Sequence, residues 1–412
     1  MDLLVNTMAT KKSHGAIKLT ENKGFCILPF TGVFIQNNRI RLCCESKEDT
    51  KHYLSGDSSI SDIWNNQFYQ DTRTEMLAGN LPAGCSTCRM DEAAGEESMR
   101  LWENSQIDNI DEYTDIICAA PSGFDVRPTN KCNLECVMCD GGASTAINSR
   151  LVYHNKDVTG FPIQAGKVWE ENRFVINHIQ QNSDKITTMR FAGGEPFLMP
   201  EVLEIIDYLV STGESKNIKL RFTTNGTVVR NKWFSEKLVK FKSVKLNVSI
   251  DAIGEIGEYV RYPCKWSVVD KNMQLFKKIA KNNQHITISL APVIHVLTAL
   301  DMDKVIEYAA INKIDLALTP VYAAAGGGNH LSTELLTDEL KQLAYDKIMN
   351  VLARYPNMDF NIGKKFITQL LSTPQLTDAT TIQQLNKVIR YWDSHRKVKF
   401  LEQYPYLDYL IE

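Results

Sequence analysis

The sequence predicts an α/β protein built on an open, partial (β/α)6 barrel, with a small cysteine-bearing domain before it and a helical region after it. Three observations carry this. Strand-like and helix-like patterns alternate from about residue 124 to 319. Seven of the ten cysteines fall into two local groups, and none lies beyond Cys264. From about residue 330 onward only helical periodicity remains. Successive βα units imply a parallel sheet with right-handed crossovers. Six such units are too few for a closed eight-stranded barrel.

The elements follow in order. Residues 1–24 are polar and read as a flexible segment. Val33 to Cys43 reads as a hairpin around an Asn-rich turn, where Asn tolerates positive φ. Ser61 or Asp62 is positioned to cap one helix carrying Ile63, Trp64, Phe68, Met76 and Leu77, ending near Gly79. The barrel strands are Phe124–Arg127, Lys185–Phe191, Ile218–Thr223, Val244–Ile250, His285–Leu290 and Ile314–Thr319. Val202, Ile205, Ile206, Leu209 and Val210 fall at helical spacing after the second strand. The Ala323–Gly328 run reads as a loop, and Thr337 opens a helix with Leu340, Leu343, Ile348 and Val351. The expected divisions are 1–24, 25–118, 119–328 and 329–412.

Bulk composition excludes several classes. The 412 residues carry a formal net charge of -3 and no block of like charges. No broad nucleic-acid binding is expected. No apolar run reaches the roughly 18 residues of a membrane span, and the first 25 residues lack a secretory pattern. The expectation is a cytoplasmic protein with no membrane association. Clustered cysteines there point to metal or redox chemistry rather than disulfides.

Cys132-Asn-Leu-Glu-Cys136-Val-Met-Cys139 places three thiols in eight residues directly after a predicted strand. A [4Fe–4S] cube takes four ligands, so this loop would leave one iron open, as catalytic metal sites do. A zinc site and buried structural cysteines are the alternatives. The motif resembles the signature of the radical S-adenosylmethionine (SAM) superfamily. The resemblance continues through Gly193-Gly194-Glu195-Pro196 after the second strand, Ser249-Ile-Asp251 ending the fourth, and Tyr259-Val-Arg261 beyond it.

That resemblance implies an enzyme with a partial (β/α)6 barrel of radical SAM type. It implies that Cys132, Cys136 and Cys139 hold a [4Fe–4S] cluster whose open iron binds SAM. Glu195 would accept hydrogen bonds from the SAM amino group, and Gly193 and Gly194 would let the backbone approach. Ser249 and Arg261 would serve the SAM carboxylate. Asn225 and Asp251 would serve the ribose or shape the pocket. Met138 takes a slot that is usually aromatic in the family. The implied chemistry is reductive cleavage of SAM to a 5′-deoxyadenosyl radical, which abstracts hydrogen from a substrate. The implied electron donor is a low-potential flavodoxin- or ferredoxin-like protein. A helix-dipole carboxylate, turn residues and a surface ion pair are the plainer roles for Glu195, Ser249 with Asp251, and Arg261.

The second group, Cys26, Cys43 and Cys85-Ser-Thr-Cys88, offers four thiols, enough to saturate a cluster or a zinc ion. Its texture resembles the SPASM/Twitch auxiliary-cluster domain: Cys26-Ile-Leu-Pro29, Asn38-x4-Cys43-Cys44, Ile60-Ser-Asp-Ile-Trp64-Asn, Arg73, and Leu81-Pro-Ala-Gly before Cys85. The family usually places this module after the barrel, and here it comes first. The resemblance implies a second [4Fe–4S] cluster within residues 25–118. Spacing favours Cys43 over Cys44 as its ligand. Core packing is the default for Cys44, Cys118 and Cys264. Cys264 is also a candidate donor to a product radical, and His295 a candidate substrate contact. The auxiliary cluster suggests an oxidative modification of a peptide or protein, or of a small molecule. The competing class is a non-catalytic iron–sulfur redox sensor or electron carrier, which needs neither an open iron nor a SAM pocket.

Overall fold

A computed structural model describes residues 18–36, 39–47, 49–53, 60–93, 95, 97–154, 173–320, 329–356 and 370–411. Most of residues 1–24, the Asn37-Asn38 turn and the Ala323–Gly328 run lie outside them. Six parallel strands form the barrel sheet: β4 (Gly123–Arg127), β5 (Thr188–Phe191), β6 (Lys219–Thr224), β7 (Ser243–Val248), β8 (Ile286–Leu290) and β10 (Asp315–Leu316). The sheet stays open. Beyond β4 it runs on through β1 (Gly32–Gln36), which pairs parallel to β4, and then antiparallel β2 (Arg39–Arg41) and β3 (Asp49–Tyr53). A short β9 (Val293–Ile294) pairs with β11 (Thr319–Pro320). One sheet therefore joins the cysteine-bearing N-terminal segment to the barrel.

Strands buried on both faces usually read as continuous apolar runs. Here burial alternates, with Met189 and Phe191, Leu220 and Phe222, and Val244, Leu246 and Val248 all buried. Those side chains pack under helices such as Pro200–Thr212 and Trp266–Asn282. Phe222 meets Phe191 and Phe197, and Phe197 meets Phe234, at ring-centroid distances of 5.5, 4.8 and 4.5 Å. Each such ring contributes roughly 1.5–3 kcal/mol by leaving water. The intervening residues, Arg190, Arg221, Lys245 and Asn247, point to the other face, which lines the polar barrel interior.

Three expected elements differ in extent. The single helix after Ser61 is two, Ile60–Trp64 and Gln67–Leu77, because Asn66 breaks the run and accepts from the Tyr69 N–H at 3.1 Å as an N-cap. The second strand starts late, since residues 183–185 form a 3-10 turn. The sixth divides between β10 and β11. The helix Asp338–Arg354 opens at Thr337, which accepts from the Leu340 N–H.

Arg73 organises the N-terminal segment. It is fully buried and donates to the carbonyls of Pro29, Trp64 and Ile116 and to Asn65 Oδ1, each at 2.8 Å. Its guanidinium also stacks on Trp64 at 4.4 Å. Stranding the buried carbonyls of Pro29 and Trp64 costs about 1–3 kcal/mol apiece. Arg73→Met should therefore lower stability by at least about 2 kcal/mol, read as a reduced midpoint in chemical denaturation with earlier proteolysis between residues 25 and 118.

Candidate active site

The eight-residue cysteine loop leaves β4 at the carboxyl end of the sheet, where α/β folds place their sites. It lacks secondary structure, so other elements hold it. The N–H groups of Glu135 and Val137 donate to the carbonyls of Tyr262 and Val260 at 2.5 and 2.9 Å. Ser144 Oγ donates to the Leu134 carbonyl at 2.6 Å. The Cys132 N–H donates to Thr145 Oγ1 at 3.1 Å. Cys136 is buried, and Cys132 and Cys139 are half-buried. Burial, with Cys136 beside it, pushes the Cys132 thiol up to about 11. A hydrogen bond between Cys136 and Cys139 lowers the first and raises the second.

The Gly193-Gly194-Glu195 turn presses on this loop. Gly193 has φ +102°, which favours glycine. A Cβ on Gly194 would stand 2.3 Å from the Lys131 carbonyl oxygen and 2.7 Å from the Asn130 carbonyl carbon. Glu195 is fully buried. Its Oε1 accepts from Thr224 Oγ1 at 2.8 Å and from the Phe197 N–H at 3.2 Å, and its Oε2 accepts from the Asn225 N–H at 2.7 Å. Burial raises this carboxyl to about 7 against those donors. A carboxylate oxygen takes two hydrogen bonds, so Oε2 keeps one acceptor position.

Asn225 reaches toward the loop, with Nδ2 3.0 Å from Asn133 Oδ1 and 3.9 Å from Cys132 Sγ. Asp251 is fully buried and holds Arg261, with Oδ1 2.9 Å from Nη2 and Oδ2 2.6 Å from Nε. Arg261 Nη1 lies 3.9 Å from Cys136 Sγ. Burial opposes the charge on Arg261, but Asp251 outweighs it and the guanidinium stays cationic. Asp251 is thus committed to Arg261 and to the Val293 N–H, at 2.8 Å. Ser249 is half-buried beside them, its N–H on the Thr224 carbonyl at 2.9 Å. Met138 is buried within the loop.

Cys26, Cys43, Cys85 and Cys88 line one cavity with Leu28 and Arg100. Cys44 does not. Burial and then Asp125 raise its thiol to about 12, and Arg127 and Arg190 also act on it, which places it toward the barrel interior. Cys118 donates to the Asp115 carbonyl at 3.2 Å. Cys264 is buried and donates to the Gly257 carbonyl at 3.6 Å. His295 is fully buried; its Nδ1 accepts from the Leu297 N–H at 3.2 Å, and burial lowers it to about 4. Among the described residues, no three Cys, His, Asp or Glu side chains converge tightly enough to chelate one ion.

Sequence reasoning missed the residues that hold the loop. Glu135 carries a bidentate Arg150, at 2.6 and 2.7 Å, and His395 Nε2 at 3.3 Å. Burial opposes its charge, but these partners hold it at about 2. Arg396 donates to the carbonyls of Glu135 and Tyr259 at 2.8 and 2.7 Å. The only local signal was an acidic residue between two cysteines; its partners are distant in sequence.

Residues 126–309 match the family model of the Radical SAM superfamily. A probable GTP 3′,8-cyclase of Methanocaldococcus jannaschii is 28% identical over 155 residues, 37% of this chain and 38% of the cyclase. Among solved structures, anSMEcpe with bound AdoMet shares 20% identity, with 56% of this chain and 59% of that one covered, at a TM-score of 0.39. Streptococcus suis SuiB bound to precursor peptide SuiA shares 12%, over 75% and 67%, at 0.41. Those structural likenesses are loose, and no weight rests on them. No described helix is long and apolar enough to cross a membrane. The three-cysteine loop and the Gly-Gly-Glu turn both lie inside the segment that matches the Radical SAM superfamily.

Proposed function

We propose that this chain cleaves SAM reductively and uses the resulting radical to modify a peptide or protein, or a small molecule. One observation carries the proposal: the turn that bears the buried Glu195 packs through Gly194 directly against the three-thiol loop, leaving one acceptor position on Oε2. An ammonium group fills such a position with a charge-assisted bond. Cys132, Cys136 and Cys139 would hold the [4Fe–4S] cluster. When bound there, the cluster would supply one electron to SAM, splitting it into methionine and a 5′-deoxyadenosyl radical that takes a substrate hydrogen. Arg261, held by Asp251 and facing Cys136, would stabilise thiolate at the loop and present a cation to the SAM carboxylate. Cys26, Cys43, Cys85 and Cys88 would hold a second, closed cluster, suited to electron transfer and an oxidative outcome. The reductant would be a flavodoxin- or ferredoxin-like protein.

Anaerobic reconstitution followed by dithionite and SAM should yield 5′-deoxyadenosine, and Cys136→Ala should abolish it. Adding SAM should alter the reduced cluster's paramagnetic resonance signal. Intact clusters with no 5′-deoxyadenosine and an unchanged signal would instead point to a redox sensor. The paired variant Cys85→Ala/Cys88→Ala should lose about four irons per chain and still cleave SAM.

Gly194→Ala gives an independent check. Its Cβ would push the loop backbone at residues 130–131. The variant should fold, lose about four irons per chain and keep the second cluster's absorbance. Full iron content in this variant would remove the packing argument.

A further inference from the structure

A cavity of about 160 Å³ lies where the N-terminal segment meets the amino ends of β4, β5 and β6, whose first residues Gly123, Thr188 and Lys219 line it. The three-thiol loop stands at the other end of these strands. Leu28, Leu42, Met99 and Ile107 give the cavity an apolar wall. Space of that order holds a small organic molecule about the size of benzene. Five charged side chains also line it: Glu103, Asp125, Arg190, Lys219 and Arg221.

Three of the five are accounted for. Glu103, on the helix Met99–Ser105, forms an ion pair with Arg190. Lys219 is exposed to solvent. Asp125 and Arg221 remain, one charge of each sign. Among the described residues, no hydrogen bond or ion pair reaches the Asp125 carboxylate, and its Oδ1 is buried. A buried acceptor left without a donor is unfavourable. Arg221 is half-buried and lies over the Trp102 ring, 4.4 Å from its centroid. That contact supplies no oxygen acceptor, and among the described residues none takes the N–H donors of this guanidinium.

The two side chains share one face of the sheet. Asp125 is opposite Arg190, and Arg190 is opposite Arg221. Two strand spacings therefore separate them, about 10 Å between Cα atoms. A simple anion here would meet the carboxylates of Glu103 and Asp125, and a simple amine would leave Arg221 unanswered. A ligand carrying a cation and an anion side by side answers both residues. An ammonium donates to a carboxylate, and a carboxylate accepts from the planar guanidinium fork.

We propose that this cavity binds a free amino acid as its zwitterion, with the ammonium on Asp125, the carboxylate on Arg221 and the side chain against the apolar wall. Cys43 lines this cavity as well as the four-thiol one, so the ligand sits beside the second thiol group. The site uses none of the residues of the three-thiol loop or the Gly-Gly-Glu turn, and it stands independently of SAM cleavage.

The test uses the full chain, with glycine and L-leucine as probes. Calorimetric titration should show saturable binding of at least one. Analogues lacking the ammonium (acetate, isocaproate) or the carboxylate (methylamine, isoamylamine) should bind at least tenfold more weakly. Asp125→Asn and Arg221→Gln should each weaken the zwitterion at least tenfold. Asp125→Asn should not weaken isocaproate further, since that analogue has no ammonium for Asp125 to hold. Lys245→Gln, beside Arg221 in register but outside the cavity, should bind as the wild type does. No saturable binding of either probe, equal binding of a truncated analogue, or an equal loss in Lys245→Gln overturns the site. The comparison of analogues on the wild type decides the matter even where a variant does not fold.

Discussion

The hydrogen bonds of Arg396 to the Glu135 and Tyr259 carbonyls are the constraint on which the site depends. A loop that presents three thiols cannot also satisfy its backbone internally, because its carbonyls and N–H groups turn in different directions. Here the N–H groups go to the 257–262 segment and a carbonyl goes to a guanidinium 261 residues away. Arg396 is packed among Tyr259, Tyr262 and Trp392, with centroid distances of 5.0, 5.2 and 5.1 Å. A planar cation in that aromatic setting has a defined orientation. The C-terminal helical region is thereby part of the site's scaffold.

The same loop is an electrostatic compromise. Burial favours the neutral thiol at Cys132, whereas the hydrogen bond between Cys136 and Cys139 lowers the first and raises the second, and Arg261 adds to the thiolate preference of Cys136. Iron–sulfur ligation requires thiolates, so occupation displaces protons. Arg261 is itself stabilised by Asp251, whose carboxylate is fully buried. A buried ion pair of this kind is a poor source of net stability. Its value lies in orientation: it points a cation at one sulfur and holds the end of β7 to the Val293 backbone.

The barrel was legible because its signals are local. Each of the six strands was marked by alternation or an apolar run, and the helix Pro200–Thr212 by its buried Val202, Ile205, Ile206 and Leu209. The cysteines and the Gly-Gly-Glu turn were legible because metal and backbone-approach chemistry restrict residue type and spacing together. What failed has a common cause. Asn66 looks like any polar residue within a helical run until its side chain is seen on the Tyr69 N–H. Asp251 reads as a ribose contact, a pocket-shaping residue or a turn residue, and its ion pair with Arg261 is visible only in the fold. Arg150, His395 and Arg396 converge on Glu135 from distant segments. No periodicity carries that information.

The position of the cysteine-rich segment before the barrel, rather than after it, also has a physical account. A parallel sheet that remains open has an unpaired edge at its first strand, and an unpaired edge accepts any strand that can reach it. β1 fills that place beside β4 in full register, Gly32 opposite Gly123 and Gln36 opposite Arg127. The edge imposes no order along the chain, so a strand arriving earlier in the sequence pairs as well as one arriving later. Register then sets the positions of the two thiol groups. Cys26 precedes the start of β1, whereas Cys132 follows the end of β4, so the groups lie toward opposite ends of strands about 13 Å long. The charged barrel interior runs between those ends, and Cys43 lines both the cavity on Arg190 and Arg221 and the four-thiol cavity. The three-thiol loop and the four-thiol cavity thus lie at opposite ends of one sheet.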